Sequence, residues 1–193
     1  MTLSVLRAAD RAVQPWKNGG GKTREVLAAP ASGSAGDFDW RVSMAEVAVP
    51  GPFSSFPGID RTLKVLEGRL ELGFADPAAV HVLTPETAAL DFPGDVAVTG
   101  HPVDGPVLDL NLMVRREAFV GHIRSLPAGA LPAPVGSPVL RLLIALQPTT
   151  VRVGGTVHGL ARFDALRLDG PEAADGLALD QPALLLQVLP RTA

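Results

Sequence analysis

Arg41 and Ser43 stand two residues apart in Trp40-Arg41-Val42-Ser43, and Asp109 and Asn111 do the same in Val107-Leu108-Asp109-Leu110-Asn111-Leu112-Met113-Val114-Arg115. In a β-strand that spacing places both members of each pair on one face, with Arg115 further along the second face. Asp60 and Arg61 open another strand-like pattern, and a loop just before them carries Phe53, Ser54 and Phe56 between prolines and glycines. Lys17 and Asn18 precede a run of three glycines. A guanidinium is a rigid fork of donors that matches a carboxylate or a phosphate. Gathered on a barrel lumen, Arg41, Ser43, Phe53, Ser54, Phe56, Asp60, Arg61, Asp109, Asn111 and Arg115, with Lys17 and Asn18 at the rim, would form a polar cup with aromatic walls. Such a cup suits a small anionic or zwitterionic metabolite. The competing reading is a structural network in which Arg41 and Arg61 pair with Glu46, Asp60 or Asp109. If the face of Asp109 and Asn111 were solvent, both would be ordinary; if it lines a barrel, they need partners.

Other chemistries fit less well. Gly21-Lys22-Thr23 matches the end of a phosphate-binding loop, but that motif needs a glycine five residues before Gly21, where Trp16 stands. Pro15 before it and Pro30 after it also leave no room for the strand and long helix such a loop joins. Asn18-Gly19 signals a tight turn, and the glycines serve either a turn that lets Trp16 pack or a close backbone approach to a ligand. The four histidines, His81, His101, His122 and His158, lack metal-ligand spacing. Absence of cysteine removes disulfides, thiol nucleophiles and thiolate metal sites together. No nucleophile and base stand at a recognisable spacing, so no catalytic residue, metal ligand or cofactor is assigned; Asp60, Asp109, Glu46 or a histidine brought in by folding are the candidates if an acid or base is needed.

The elements that would hold these residues read as strands. Eighteen prolines and twenty glycines break the chain every few residues and leave little room for helices. Large apolar residues over 40–49 switch face near Glu46, which predicts a bulge. Residues 61–72 read as a hairpin turning at Glu67-Gly68, with further turns at Pro93-Gly94 and Asp104-Gly105-Pro106. The one good helix pattern is 117–126, where Phe119, Val120 and Ile123 share a side before Pro127. Segment 128–138 reads as a linker, and strand patterns resume over 139–147, 151–153, 160–168 and 184–189. The expected fold is all-β, a two-lobed barrel or sandwich with one or two short helices, its lobes falling at 1–127 and 138–193.

At 193 residues and 47% hydrophobic content the chain can bury a sizeable core. A net charge of −3 and a pI near 5.8 argue against nucleic acid or an anionic membrane as partner. No stretch resembles a signal peptide, and the longest apolar runs, 142–146 and 183–186, fall short of the ~20 residues of a membrane span, so a cytoplasmic protein is expected.

The segment LKVLEGRLEL resembles the strand, Glu-Gly turn and strand that close the first motif of a cupin barrel. Where metal-binding cupins place a glutamate seven residues before the glycine, this chain has Arg61, and the histidine positions fall among Ser54, Ser55, Phe56 and Pro57. Gly94-Asp95 is similar to the second motif, but His101 is off its register. The segments WKNGGGKTREV, WRVSMAEV, GPFSSFPGIDRTLKVLEG and DGPVLDLNLMVRR resemble, in order and spacing, those of the HutD/Ves family, and GLARFDALRLDG extends the likeness over nearly the whole chain as a single unit. Leu110 departs from the aromatic residue common in the family between the Asp and the Asn, which bears on pocket shape. The resemblance implies a cupin-like, two-lobed (bicupin) fold and an association with bacterial histidine-utilisation genes or, in the Ves branch, stress responses. It implies no catalytic activity, none being established for the family as a whole. The expected function is therefore metal-independent binding of a small carboxylated metabolite, such as urocanate or a formylated glutamate derivative, in a regulatory or accessory role in histidine utilisation. Two alternatives stay open: a metal-free cupin-type isomerase or hydrolase of such a metabolite, and an accessory factor that docks a protein through its Pro- and Gly-rich loops. A homodimer is also left open.

Overall fold

In this computed structural model residues 2–16, 19–30, 38–75, 78–133, 136–153, 155–169 and 177–191 are described. Apolar alternation punctuated by proline and glycine yields strands throughout. In chain order they are β1 (Thr2–Leu6), β2 (Val13–Pro15), β3 (Gly21–Pro30), β4 (Phe38–Val47), β5 (Gly51–Pro52), β6 (Ile59–Ala75), β7 (Ala78–Leu83), β8 (Leu90–Pro93) and β9 (Val98–Arg115). There follow β10 (Phe119–Leu126), β11 (Gly129–Ala130), β12 (Leu140–Ala145), β13 (Thr149–Val153), β14 (Thr156–Leu160), β15 (Ala165–Asp169), β16 (Ala178–Leu179) and β17 (Ala183–Pro190). Among the described residues the only helical element is a single 3-10 turn, Ala8–Asp10, and no helix is long and apolar enough to cross a membrane.

The chain divides into two compact units, Ala12–Phe119 and a second made of Met1–Arg11 with Val120–Ala193. The division falls before β2 and at the start of β10, and the first strand belongs to the second unit, where β1 pairs with β15.

Unit Ala12–Phe119 is one eight-stranded sheet in the order β2-β3-β4-β9-β6-β7, with β5 added to β9 and β8 to β6. The expected bulge near Glu46 is absent: β4 and β9 pair without a break from Trp40 opposite Val114 to Val47 opposite Val107. The apparent switch of face arises because both faces are covered, Val42 and Met44 being buried on one and Ser43, Ala45 and Val47 on the other.

The expected hairpin over 61–72 is also absent. β6 continues through Glu67 and Gly68 and pairs with β9 on both sides, Ile59 opposite Arg115 through Glu67 opposite Leu108, then Arg69 opposite Val103 through Phe74 opposite Val98. The Glu-Gly pair is a bulge inside one strand. Gly68 has φ +82, and a Cβ there would lie 2.9 Å from the Pro106 carbonyl oxygen, so β6 and β9 meet where no side chain fits. The bulge also shifts the alternation, so that Leu63 and Val65 before it and Leu70 and Leu72 after it share one core with Leu83, Phe92, Val98 and Val107.

The second unit is a sandwich. A five-stranded sheet, β1-β15-β12-β17-β10, and a four-stranded one, β11-β16-β13-β14, contribute to one core, Leu143, Leu166 and Leu185 from the first and Val151, Leu160 and Leu179 from the second. The helix predicted over 117–126 is instead the edge strand β10 beside β17. Phe119, Val120 and Ile123 match a helical stripe, but Gly121 and the β-branched Val120 and Ile123 favour helix weakly, and pairing with β17 lets Leu126 pack on the core.

Candidate functional site

The face of β6 and β9 that builds the core turns polar at one end. Along β6 the inward residues run from Val65 and Leu63 to Arg61, and along β9 from Val107 to Asp109, Asn111 and Met113. β4 adds Arg41, Ser43 and Ala45, and β3 adds Thr23. These side chains line a cavity of about 590 Å³, closed further by Gln14, Pro15 and Trp16, by Pro52 of β5, and by Phe53, Ser54 and Phe56 of the loop that follows it.

Of the residues predicted from sequence, Arg41, Ser43, Phe53, Ser54, Phe56, Arg61, Asp109 and Asn111 lie on this cavity. Two do not. Strand alternation turns Asp60 to the face opposite Arg61, where it accepts a 2.6 Å hydrogen bond from Arg116 Nε. Arg115 shares the parity of Asn111 but sits past the cavity at the end of β9, paired with Asp39 and 3.8 Å from Glu117. Lys17 and Asn18 lie outside the described residues.

Sequence reasoning missed Thr23, Ala45 and Met113, although the last two continue the alternation of Arg41–Ser43 and Asp109–Asn111. For the glycine turn beside Trp16 the sequence leaves two readings, packing of the ring or close approach to a ligand. Trp16 does close that turn, its N–H donating to the Gly21 carbonyl at 2.9 Å, and a Cβ on Gly21 would come within 3.2 Å of its ring. Yet the ring also walls the cavity, held there as Nε1 donates to Thr23 Oγ1 at 2.8 Å.

Three side chains form a buried chain of hydrogen bonds. An Arg61 terminal nitrogen donates to Asn111 Oδ1 at 2.6 Å, and Asn111 Nδ2 donates to Asp109 Oδ1 at 2.5 Å. Arg61 Nε and Asp109 Oδ2 are buried and have no hydrogen-bond partner. The Arg61 guanidinium carbon lies 5.2, 5.9 and 5.1 Å from the ring centres of Phe53, Phe56 and Phe92, a cage that favours a cation while excluding water. Arg41 donates from Nε to Glu25 Oε2 at 3.0 Å, and Glu46 pairs with Lys22 at 2.9 Å. The anticipated arginine partners are thus replaced by Glu25 for Arg41 and by Asn111, backed by Asp109, for Arg61.

Burial dominates the electrostatics. Asp109 is fully buried, and loss of hydration pushes its carboxyl up to about 7, against the opposing pull of Arg61 and the Asn111 hydrogen bond. Burial likewise brings Arg61 down to about 10, partly offset by Asp109 and reinforced by Arg41. Near neutral pH Arg61 is charged while Asp109 is only part ionised, and Glu25 already answers Arg41, so the cavity carries excess positive charge. Among the described residues no cluster of three or more His, Asp or Glu could hold a metal ion.

An all-β unit with a polar cup at one end of its sheet interior is of the cupin kind. The fold is similar to that of a cupin 2 conserved barrel domain protein from Leptotrichia buccalis, with a TM-score of 0.55 over 88% of each chain at 11% identity. The HutD family model matches residues 8–186, and the chain belongs to that family. It is 30% identical over 189 residues, 98% of each chain, to an uncharacterized 21.2 kDa protein in the hutC 3' region of Pseudomonas putida. It is 36% identical to Protein Ves of Citrobacter koseri over 113 residues, 58% of each. HutD from Pseudomonas fluorescens SBW25, determined in a formate condition, superposes with a TM-score of 0.83 at 28% identity, over 99% of this chain and 100% of that one.

Proposed function

We propose that the cavity of the Ala12–Phe119 unit binds a small carboxylated metabolite without a metal, and that the protein acts through this binding as a regulatory or accessory component of histidine utilisation. Family membership supplies the association with the histidine-utilisation region. The observation that carries the ligand class is Arg61: a charged guanidinium on the cavity lining, 7% exposed and caged by three phenyl rings. A carboxylate that meets this guanidinium gains a charge-assisted hydrogen bond worth about 1.5–3 kcal/mol.

Thermal unfolding of chelator-treated protein with a panel of histidine-pathway carboxylates tests the reading. An acid at 100 times its dissociation constant adds about 2.7 kcal/mol, which raises the midpoint of a chain this size by roughly 5–10 °C. Changing Arg61 to Met should weaken that acid by about 1.5–3 kcal/mol, or about 10- to 150-fold. Undiminished binding in the variant, or no shift with any acid, would sink the proposal.

A further inference from the structure

A second cavity, of about 490 Å³, opens elsewhere in the Ala12–Phe119 unit, and its lining includes Gly73 in the middle of β6. A glycine inside a strand weakens it, so its presence needs a reason. Gly68 and Gly100 of the same sheet have theirs: a Cβ on Gly68 would meet the Pro106 carbonyl oxygen at 2.9 Å, and one on Gly100 would meet the Phe53 ring at 2.5 Å. Gly73 has no such neighbour. A Cβ there would touch only the Thr99 carbonyl oxygen, at 3.8 Å, and its φ lies outside the left-handed region. It marks no bulge either, because β6 pairs in unbroken register with β9 from Arg69 to Phe74 and with β7 from Leu70 to Ala75. A glycine in an unbroken ladder, with open space above it, suits a place where a ligand comes close to the backbone.

Register sets what surrounds that space. Pro52 of β5, Thr99 of β9, Gly73 of β6 and Val80 of β7 stand in one row across four adjacent strands, so the missing side chain leaves a gap between Thr99 and Val80. Val80, beside the gap, is 68% exposed. Phe53, Phe74 and Val96 add apolar lining to the cavity. Among the described residues that line it, Asp95 is the one charged side chain, and both its oxygens accept from Arg116, at 3.0 and 2.9 Å. Ser55 and Thr99 contribute hydroxyls. The result is apolar surface with a few neutral polar groups, the composition of a small-molecule site, and it contrasts with the positive cavity at Arg61.

We infer that this cavity is a second small-molecule site, taking a neutral ligand whose apolar ring lies over Gly73, between Thr99 and Val80. It stands apart from the carboxylate reading, since the two cavities share only Pro52 and Phe53 and no charged group.

Titration of the full chain with 4-fluorobenzyl alcohol, a neutral aromatic alcohol, followed by fluorine NMR, tests the site. Wild type should bind it saturably with a dissociation constant of roughly 1 mM, within reach of a ligand of about nine non-hydrogen atoms. Gly73→Leu fills the gap from a position where a Cβ has room, and should weaken binding at least about tenfold. If that variant does not fold, Ala97→Phe, at an exposed position on the same lining, should have the same effect. Arg61→Met, which alters the first cavity alone, should leave the affinity for the alcohol unchanged. No saturable binding to wild type would overturn the inference, and so would undiminished binding in the filled variant. Binding lost in Arg61→Met would overturn it too, by placing the alcohol in the first cavity. Carboxylate binding is read separately by the acid panel, so none of these outcomes decides it.

Discussion

Replacing Asp109 by Asn should change how stability depends on pH. In the fold the Asp109 carboxyl is pushed by burial from 3.8 to about 7, whereas the unfolded chain releases its proton near the ordinary value. The folded state then binds more protons over that interval, so this group's contribution is fully present below 3.8 and is lost as pH rises through about 7. Between about pH 5.5 and pH 7 the loss runs at about 1.4 kcal/mol per pH unit, or about 2 kcal/mol, and it levels off above. Asn cannot titrate, keeps the shape of Asp, and still offers an oxygen to Asn111. Arg61, at about 10, stays charged over the whole range, and the other carboxylates act alike in both proteins. Urea unfolding of both proteins at several pH values checks this: the stability of wild type minus that of Asp109→Asn should fall by about 2 kcal/mol from about pH 5.5 to about pH 8. A difference that stays flat over this range and changes only below about pH 4 would show that Arg61 holds Asp109 ionised and that burial does not control this carboxyl, and the reasoning would be wrong.

Gly68→Ala should destabilise the first unit by about 1–3 kcal/mol in urea, because it sets a side chain at φ +82 with its Cβ 2.9 Å from the Pro106 carbonyl oxygen. Gly51→Ala, which meets nothing within 4 Å, is the control and should shift the midpoint little. Lys64→Met should cost about 1–3 kcal/mol, since the buried Lys64 ammonium donates to the Pro85 and Thr87 carbonyls at 2.5 and 2.6 Å and its loss leaves both without that donor. A loss well under 1 kcal/mol, measured the same way, would mean that water satisfies those carbonyls equally well.

The strands were legible because alternation, proline and glycine speak locally. The all-β architecture follows from them, as does the pairing of Arg41 with Ser43 and of Asp109 with Asn111 on single faces. What failed depended on partners distant in sequence. Residues 117–126 carry a helical stripe, and only the open edge of β17 makes them a strand. Glu67-Gly68 has turn chemistry, yet with β9 lying alongside both halves of β6 the chain bulges there instead of reversing. Asp60 adjoins Arg61 in sequence, but adjacent strand residues face opposite ways, and it pairs with Arg116 outside the cavity. Arg115 has the right parity, but the cavity ends at Met113. Glu25 as the partner of Arg41 lay beyond reach: the β3–β4 register shifts between Glu25 and Leu27, and no local signal marks that shift.

Crystals soaked with a bromo derivative of pyrrole-2-carboxylate would test the central claim most directly. The account predicts an anomalous bromine peak inside the cavity walled by Trp16, Phe53 and Phe56, with the carboxylate against Arg61. A well-occupied peak elsewhere on the molecule, with this cavity holding none, would contradict it.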